Sequence, residues 1–278
     1  RLVGSEMCIR DRSSGMQEIS SGGTGTVVTM TSGEQNIYSD GTGTVSTMND
    51  GGQYITSGTG TISTMSGGYQ EISSGTGTVS TMSGGEQNIY SGGTGTISTM
   101  SGGLQEISSG GMGTVSTLNG GSQIISSGGT GTVDIMSGGM QEIVSGAGMI
   151  STMNSGLQNI RAGGTGTVST LSGGSQSIDS GGTGTVSIML DGPQNYQIIS
   201  SGGTGTVDIM SGGMQDISSG GTGTVNTMSG GGQRISSGIG TVSTMSGGVQ
   251  LIESGAAGTI SAMNGGCLLY TSDAADDK

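Results

Sequence analysis

The chain has 278 residues, 64 of them Gly, with no His, Trp or Phe and a formal net charge of −13 at pH 7. That charge excludes a basic footprint for nucleic acid or anionic lipid, and no apolar run approaches a membrane span. With 29% hydrophobic residues, composition alone describes a disordered chain, but the placement of those residues overrules it.

The chain opens on RLVGSEMCIRDR and closes on GCLLYTSDAADDK, in a style found nowhere between. CLLYTS back-translates to DNA whose reverse complement, read from its third base, encodes Met7 to Asp11. One short DNA element, read on opposite strands, can therefore code both ends. It resembles the transposon-end adapter used to prepare sequencing libraries. The expectation is that residues 1–12 and 267–278 are translated adapter with no fold. The natural stretch is then 13–266, with another x-Gln-x-Ile expected after Gly265 and Gly266. Cys8 and Cys267 carry no disulfide or thiol chemistry on this reading. A missing leader or anchor says nothing against secretion.

From Val27 onward one pattern repeats. A β-branched marker in TGTV falls at Val27, Val45, Ile62, Val79, Ile97, Val115, Val133, Ile150, Val168, Val186, Val207, Val225, Val242 and Ile260. The steps are 17 or 18 residues, with one of 21. Three residues after each marker sits Met, or Leu at Leu118 and Leu171. Ten after nearly every marker sits Ile, as in Ile37, Ile55 and Ile72. A Gln column accompanies them: Gln17, Gln35, Gln53, Gln70, Gln87, Gln105, Gln123, Gln141, Gln158, Gln176, Gln197, Gln215, Gln233 and Gln250.

Each repeat holds two short runs, TGTVSTM and QEIS, separated by SGG or SSGG. Paired glycines mark turns. No Gly-free stretch is long enough for a helix, and β-branched residues dominate the runs. The expected fold is all-β, two strands per repeat. One repeat offers three large apolar side chains, too few to offset the ordering of its own backbone. Stacking solves this, because each strand then pairs with its equivalents above and below. The pattern predicts a single-stranded β-solenoid (β-helix) over 13–266, about 14 coils of 17–18 residues. At one strand spacing per coil it would be a rod of roughly 65 Å.

In the QxI run, Gln and Ile recur while their neighbours vary, so Gln and Ile point inward. An inward Gln in every coil needs its amide satisfied. In register, each amide donates to one neighbour and accepts from the other, as a ladder. These Gln are read as structural. Acids in the slot after Gln (Glu18, Glu71, Glu106, Glu142, Asp216) never fall in adjacent coils, which avoids like charges one strand apart. Arg234 falls beside Asp216. In TGTVSTM the marker and Met are three apart, so a bend near Ser-Thr is predicted. Gly25 and its equivalents are expected inside, where the coil is too tight for a side chain.

Little here carries catalytic or metal chemistry. GGTGTVD at Asp134 and Asp208 has Val133 and Val207 where a calcium β-roll repeat needs Asp. No helix or GK[ST] follows the Gly-rich runs, so they are no phosphate cradle. Acids are scattered singly, unlike the carboxylate pair of a glycosidase. The expectation is no enzyme and no cofactor. Thr-x-Thr, as at Thr24/Thr26, Thr42/Thr44 and Thr94/Thr96, would stack into two outward ranks. That resembles the arrays of ice-binding solenoids, and is the alternative reading of function. Met112, Ala147, Ile239 and Ala257 interrupt the first rank.

The whole repeat, GGTGTVSTMSGGxQxIS, resembles the AIDA-type strand-loop-strand repeat of bacterial autotransporter adhesin passengers. The SGGxQxI half carries the resemblance most specifically. It implies a right-handed β-helix, secreted to the cell surface and anchored in the outer membrane through a C-terminal barrel. This segment itself would not insert in the membrane. The role implied is a stalk or display rod, facing a host or neighbouring-cell surface. It also implies O-glycosylation of outward Ser or Thr by a glycosyltransferase, with Ser20, Ser73, Thr24 and Thr42 as candidate acceptors. One repeat departs from the pattern. Its LDGPQNY, Leu190 to Tyr196, adds three residues and the chain's one Pro, Pro193, and reads as a tolerated loop insertion.

Overall fold

The structure, a computed structural model, describes residues 7–12, 14–192 and 194–271, with side chains from Ser14 onward. Residues 1–6 and 272–278 of the expected adapter ends, and Pro193, lie outside the described residues.

Among the described residues there are 28 strands and no helix. A long strand such as Thr42–Met48 alternates with a short one such as Gly52–Ile55. Neither pairs with its chain neighbour. Each lies parallel to its equivalent one coil away, with Val45 on Ile62, Met48 on Met65, Gln53 on Gln70 and Ile55 on Ile72. These are the stacked coils of a β-solenoid, about fourteen in number.

The described residues divide into two compact units, one up to Gln141 and one from Glu142 onward. In the first, interior columns run from Val27 to Val133, Met30 to Met136 and Ile37 to Ile125, at most 1% exposed. In the second they run from Ile150 to Val242, Met153 to Met245 and Ile160 to Ile252. Identical or near-identical side chains stack at one strand spacing, so each column is a continuous apolar contact.

The predicted bend is present. Between buried Val45 and Met48, Ser46 and Thr47 both lie toward the surface, and the strand register passes over Ser46. Two successive outward residues let marker and Met both reach the core. The corner after Ile differs from the sequence expectation. The left-handed residues there are not the paired glycines but Ser21 (φ 54°) and Gly22 (φ 72°). Gly23 N donates to Ser20 O at 3.0 Å, closing a turn with both central residues at positive φ. Gly23 is small for another reason: a Cβ there would meet Ser20 O at 3.0 Å. The same Ser-Gly pair recurs at Ser91, Ser109 and Ser127. Where the connection is one residue shorter, as in Thr56-Ser57-Gly58, no residue has positive φ, except that Ser145 (φ 59°) keeps it in Val144-Ser145-Gly146. That choice of corner accounts for steps of 17 against 18.

Both end stretches that the sequence places outside the fold contain strands. Met7–Arg12 pairs with Thr24–Met30, and Cys267–Tyr270 with Val249–Ile252. An open sheet edge accepts any extended backbone, whatever its side chains. The side chains of the second stretch break the pattern. Leu268 stands at the Gln position, and Tyr270, at the Ile position, is 67% exposed.

Candidate functional surface

The Gln column is interior. Gln17 is 2% exposed and the other thirteen 0%. Within each unit the bonds along it have one polarity, Nε2 donating to the Oε1 of the coil before. In the first unit the chain of bonds runs from Gln17 to Gln141, beginning with Gln35 to Gln17 at 2.7 Å and ending with Gln141 to Gln123 at 2.6 Å. In the second it runs from Gln158 to Gln250 at 2.6–2.7 Å. In some coils Nε2 also reaches a backbone carbonyl, as Gln35 does to Gly25 at 3.3 Å and Gln53 to Gly43 at 3.4 Å. The ladder is a scaffold: it holds register and leaves no amide facing solvent.

Uniform polarity has a consequence at Gln250. Its Oε1 is buried without a partner, because the residue stacked on it is Leu268. Leu268→Gln supplies the missing donor and is expected to stabilise the last coil by about 1 kcal/mol. Slower amide exchange in Val249–Ile252 would show it; unchanged exchange would count against the assignment.

Function must lie on the outward positions. Thr24, Thr42, Thr59 and Thr76 stack in register and are exposed, with Thr26, Thr44, Thr61 and Thr78 half-buried beside them. In the first unit Met112, 52% exposed, breaks the outer rank, while the inner rank continues through Thr114 to Thr132. In the second unit Ile239 breaks the outer rank and Met149, which the sequence reading passed over, the inner one. Of the candidate glycan acceptors, Thr24 and Thr42 are exposed and Ser20 and Ser73 half-exposed. Thr24 and Thr42 stack in register, Ser20 stands at the corner leading into Thr24, and Ser73 stands at an equivalent corner further along the stack.

The outward charges are paired where pairing is open to them. Arg234 lies over Asp216, as the sequence predicts, at 3.7 Å. Its nearer partner is Glu253, at 2.8 Å, from the corner one coil on. That hydrogen bond, then the charge of Glu253 and Asp216, raises the guanidinium pKa. Arg161 meets Glu142 at 2.7 Å. Such half-exposed pairs contribute little stability.

Tyr54 and Tyr69 make a contact that periodicity alone did not flag. Their rings meet edge to face with centroids 5.2 Å apart, and their hydroxyls share a hydrogen bond. Tyr69 stacks on Gly52, whose missing side chain leaves room for the ring, and Tyr54 stacks on Glu71. The hydrogen bond to Tyr69 first, then burial, pushes the Tyr54 phenol above the ordinary tyrosine range. The signal was available: Tyr after Gln53 and Tyr before Gln70 become diagonal neighbours once the coils stack in register.

The arrangement defines a repeat solenoid whose interior is committed to its own support and whose outward face is rich in hydroxyls. No family model matches the sequence, and no curated protein matches it. Among solved structures it is similar to the crystal structure of a TibC-catalysed, hyper-glycosylated TibA fragment. The two are 28% identical over 99% of each chain, with a TM-score of 0.70.

Proposed function

We propose that this chain is a stalk or display rod of a secreted, surface-exposed bacterial autotransporter adhesin. The observation that carries the reading is the match to the TibA fragment over nearly the full length of both chains. In-register coils with a sealed interior suit a spacer, because length can be added coil by coil without changing the cross-section. Whole-cell proteolysis tests the location. With the full gene expressed, added protease should remove this segment without cell lysis. Protection until lysis would overturn the reading.

The neighbour is a glycoprotein, which supports a second element of the same proposal: outward Ser and Thr accept sugar from a glycosyltransferase. Co-expression with such an enzyme should add sugar masses that map to outward positions, Ser20, Ser73, Thr24 and Thr42 among them. Intact-protein mass spectrometry reads this directly, and an unmodified mass counts against it. The stacked Thr ranks favour ice binding as the other reading. Thermal hysteresis and faceted ice crystals from the purified chain would support it, whereas a stalk shows neither.

A further inference from the structure

The insertion Leu190 to Tyr196 does more than lengthen a corner. In the other coils stacked here the residue two before Gln is a glycine at positive φ: Gly156 (φ 102°), Gly174 (φ 91°) and Gly213 (φ 74°). In the inserted coil that position belongs to Asn195, in register with Gly174 and not among the positive-φ residues. The chain therefore turns this corner by a different path and needs the extra length. Asn195 is 1% exposed, and its Nδ2 donates to Leu190 O at 2.8 Å, pinning the base of the insertion. Its neighbours on either side, Gln194 and Tyr196, point to solvent.

The result is a surface notch of 550 Å³ in the second unit, lined by Ser155, Gly156, Gly174, Ser175, Gln194 and Tyr196. That volume lies in the range of small-ligand sites. The lining draws on three successive coils and contains no charged residue. Tyr196 is 38% exposed and offers a ring face and a hydroxyl. Among the described residues, the side chains of Ser155, Ser175, Gln194 and Tyr196 make no hydrogen bond within the protein. An aromatic face beside an amide and hydroxyls, all uncharged, matches a pyranose ring: apolar C–H face on one side, neutral hydroxyls around the rim. A net charge of −13 disfavours anionic ligands.

We infer that this notch is a binding site for a neutral saccharide, with Tyr196 as the stacking platform and Gln194 as the orienting amide. Pinning by Asn195 fixes the backbone from which both side chains project, which lowers part of the ordering cost of binding. The site stands apart from the stalk reading, and either can fail alone. The sugar has two sources, a glycan of another cell or a glycan on a second copy of this chain.

The test uses the unglycosylated protein on an array of neutral and acidic glycans, followed by saturation-transfer NMR with each glycan retained. A glycosylated copy of the chain, titrated separately, forms the second arm. Expected is retention of neutral glycans in preference to acidic ones, with affinity falling roughly tenfold or more in Tyr196→Ala and less in Gln194→Ala. Both side chains are exposed, so unchanged circular dichroism separates a lost site from a lost fold. Binding in the first arm assigns a foreign glycan, and binding in the second alone assigns self-association. No retention in either arm, or binding indifferent to Tyr196→Ala, overturns the proposal.

Discussion

Gln105→Ala is expected to destabilise the coils around it by about 4 kcal/mol. Gln105 Nε2 donates to Gln87 Oε1 at 2.7 Å, and Gln105 Oε1 accepts from Gln123 Nε2 at 2.6 Å. Truncation orphans a buried acceptor on one side and a buried donor on the other. Each uncompensated group costs roughly 1–3 kcal/mol, and the deleted volume adds to it. Gln123 retains only a long contact to Thr132 O at 3.4 Å. Gln105→Leu separates the two terms, since it fills the space without an amide. If orphaned polar groups dominate, Leu costs nearly as much as Ala; if the cavity dominates, Leu is mild. Stacked repeats need not unfold in one step. Hydrogen exchange at Glu86–Ile89 and Ser122–Ser126 therefore reads the effect better than a single melting temperature. A cost below 1 kcal/mol for both variants would show that the ladder is decorative.

How much of this was legible in the sequence follows from what stacking conserves. Register was legible, because a period of 17 or 18 lays Gln on Gln and Ile on Ile, and the strand pairings follow it residue by residue. Burial was legible too, since period-two alternation around Gln and the bend at Ser-Thr both hold. Ladder polarity was not, because an amide column satisfies its internal bonds in either direction. The left-handed Ser21 was also hidden. The rule that glycine takes positive φ points to Gly22-Gly23, whereas closure of the turn at Gly23 N fixes the pair one residue earlier. The outward face was read least well. Arg234 was assigned to Asp216, and the shorter contact to Glu253 crosses from strand to corner, a relation that slot-by-slot comparison does not test. The notch at Tyr196 depends on how three extra residues route around Asn195, and a count of residues carries no such path.

One coupling inside the coil explains why Gly and Ile recur together, and Gly113→Ala exposes it. Gly113 lies two residues before the marker Val115, facing the end of the Ile107 side chain within the same coil. A Cβ there would run into Ile107 Cδ1, and would lie 2.8 Å from Ile107 Cγ1 and 2.9 Å from Gln105 Oε1. These atoms are fully buried and have no open space to move into. Overpacking of this kind costs about 3 kcal/mol. Gly110→Ala is the control: nothing lies within 4 Å of its Cβ, so only the strain of φ +78° remains, roughly 1 kcal/mol. The informative variant is the double one. Ile107→Val removes Cδ1, the atom most in the way, so Gly113→Ala with Ile107→Val should be less destabilised than the sum of the single changes by 1 kcal/mol or more. Strict additivity would mean that the clash is with the Gln amide or the backbone instead. If the coupling holds, Ile is required in QxI not for apolarity alone, which Val would supply, but because its Cδ1 fills the space that a missing Cβ leaves. The recurrence of the two residues is then one packing requirement seen at two positions.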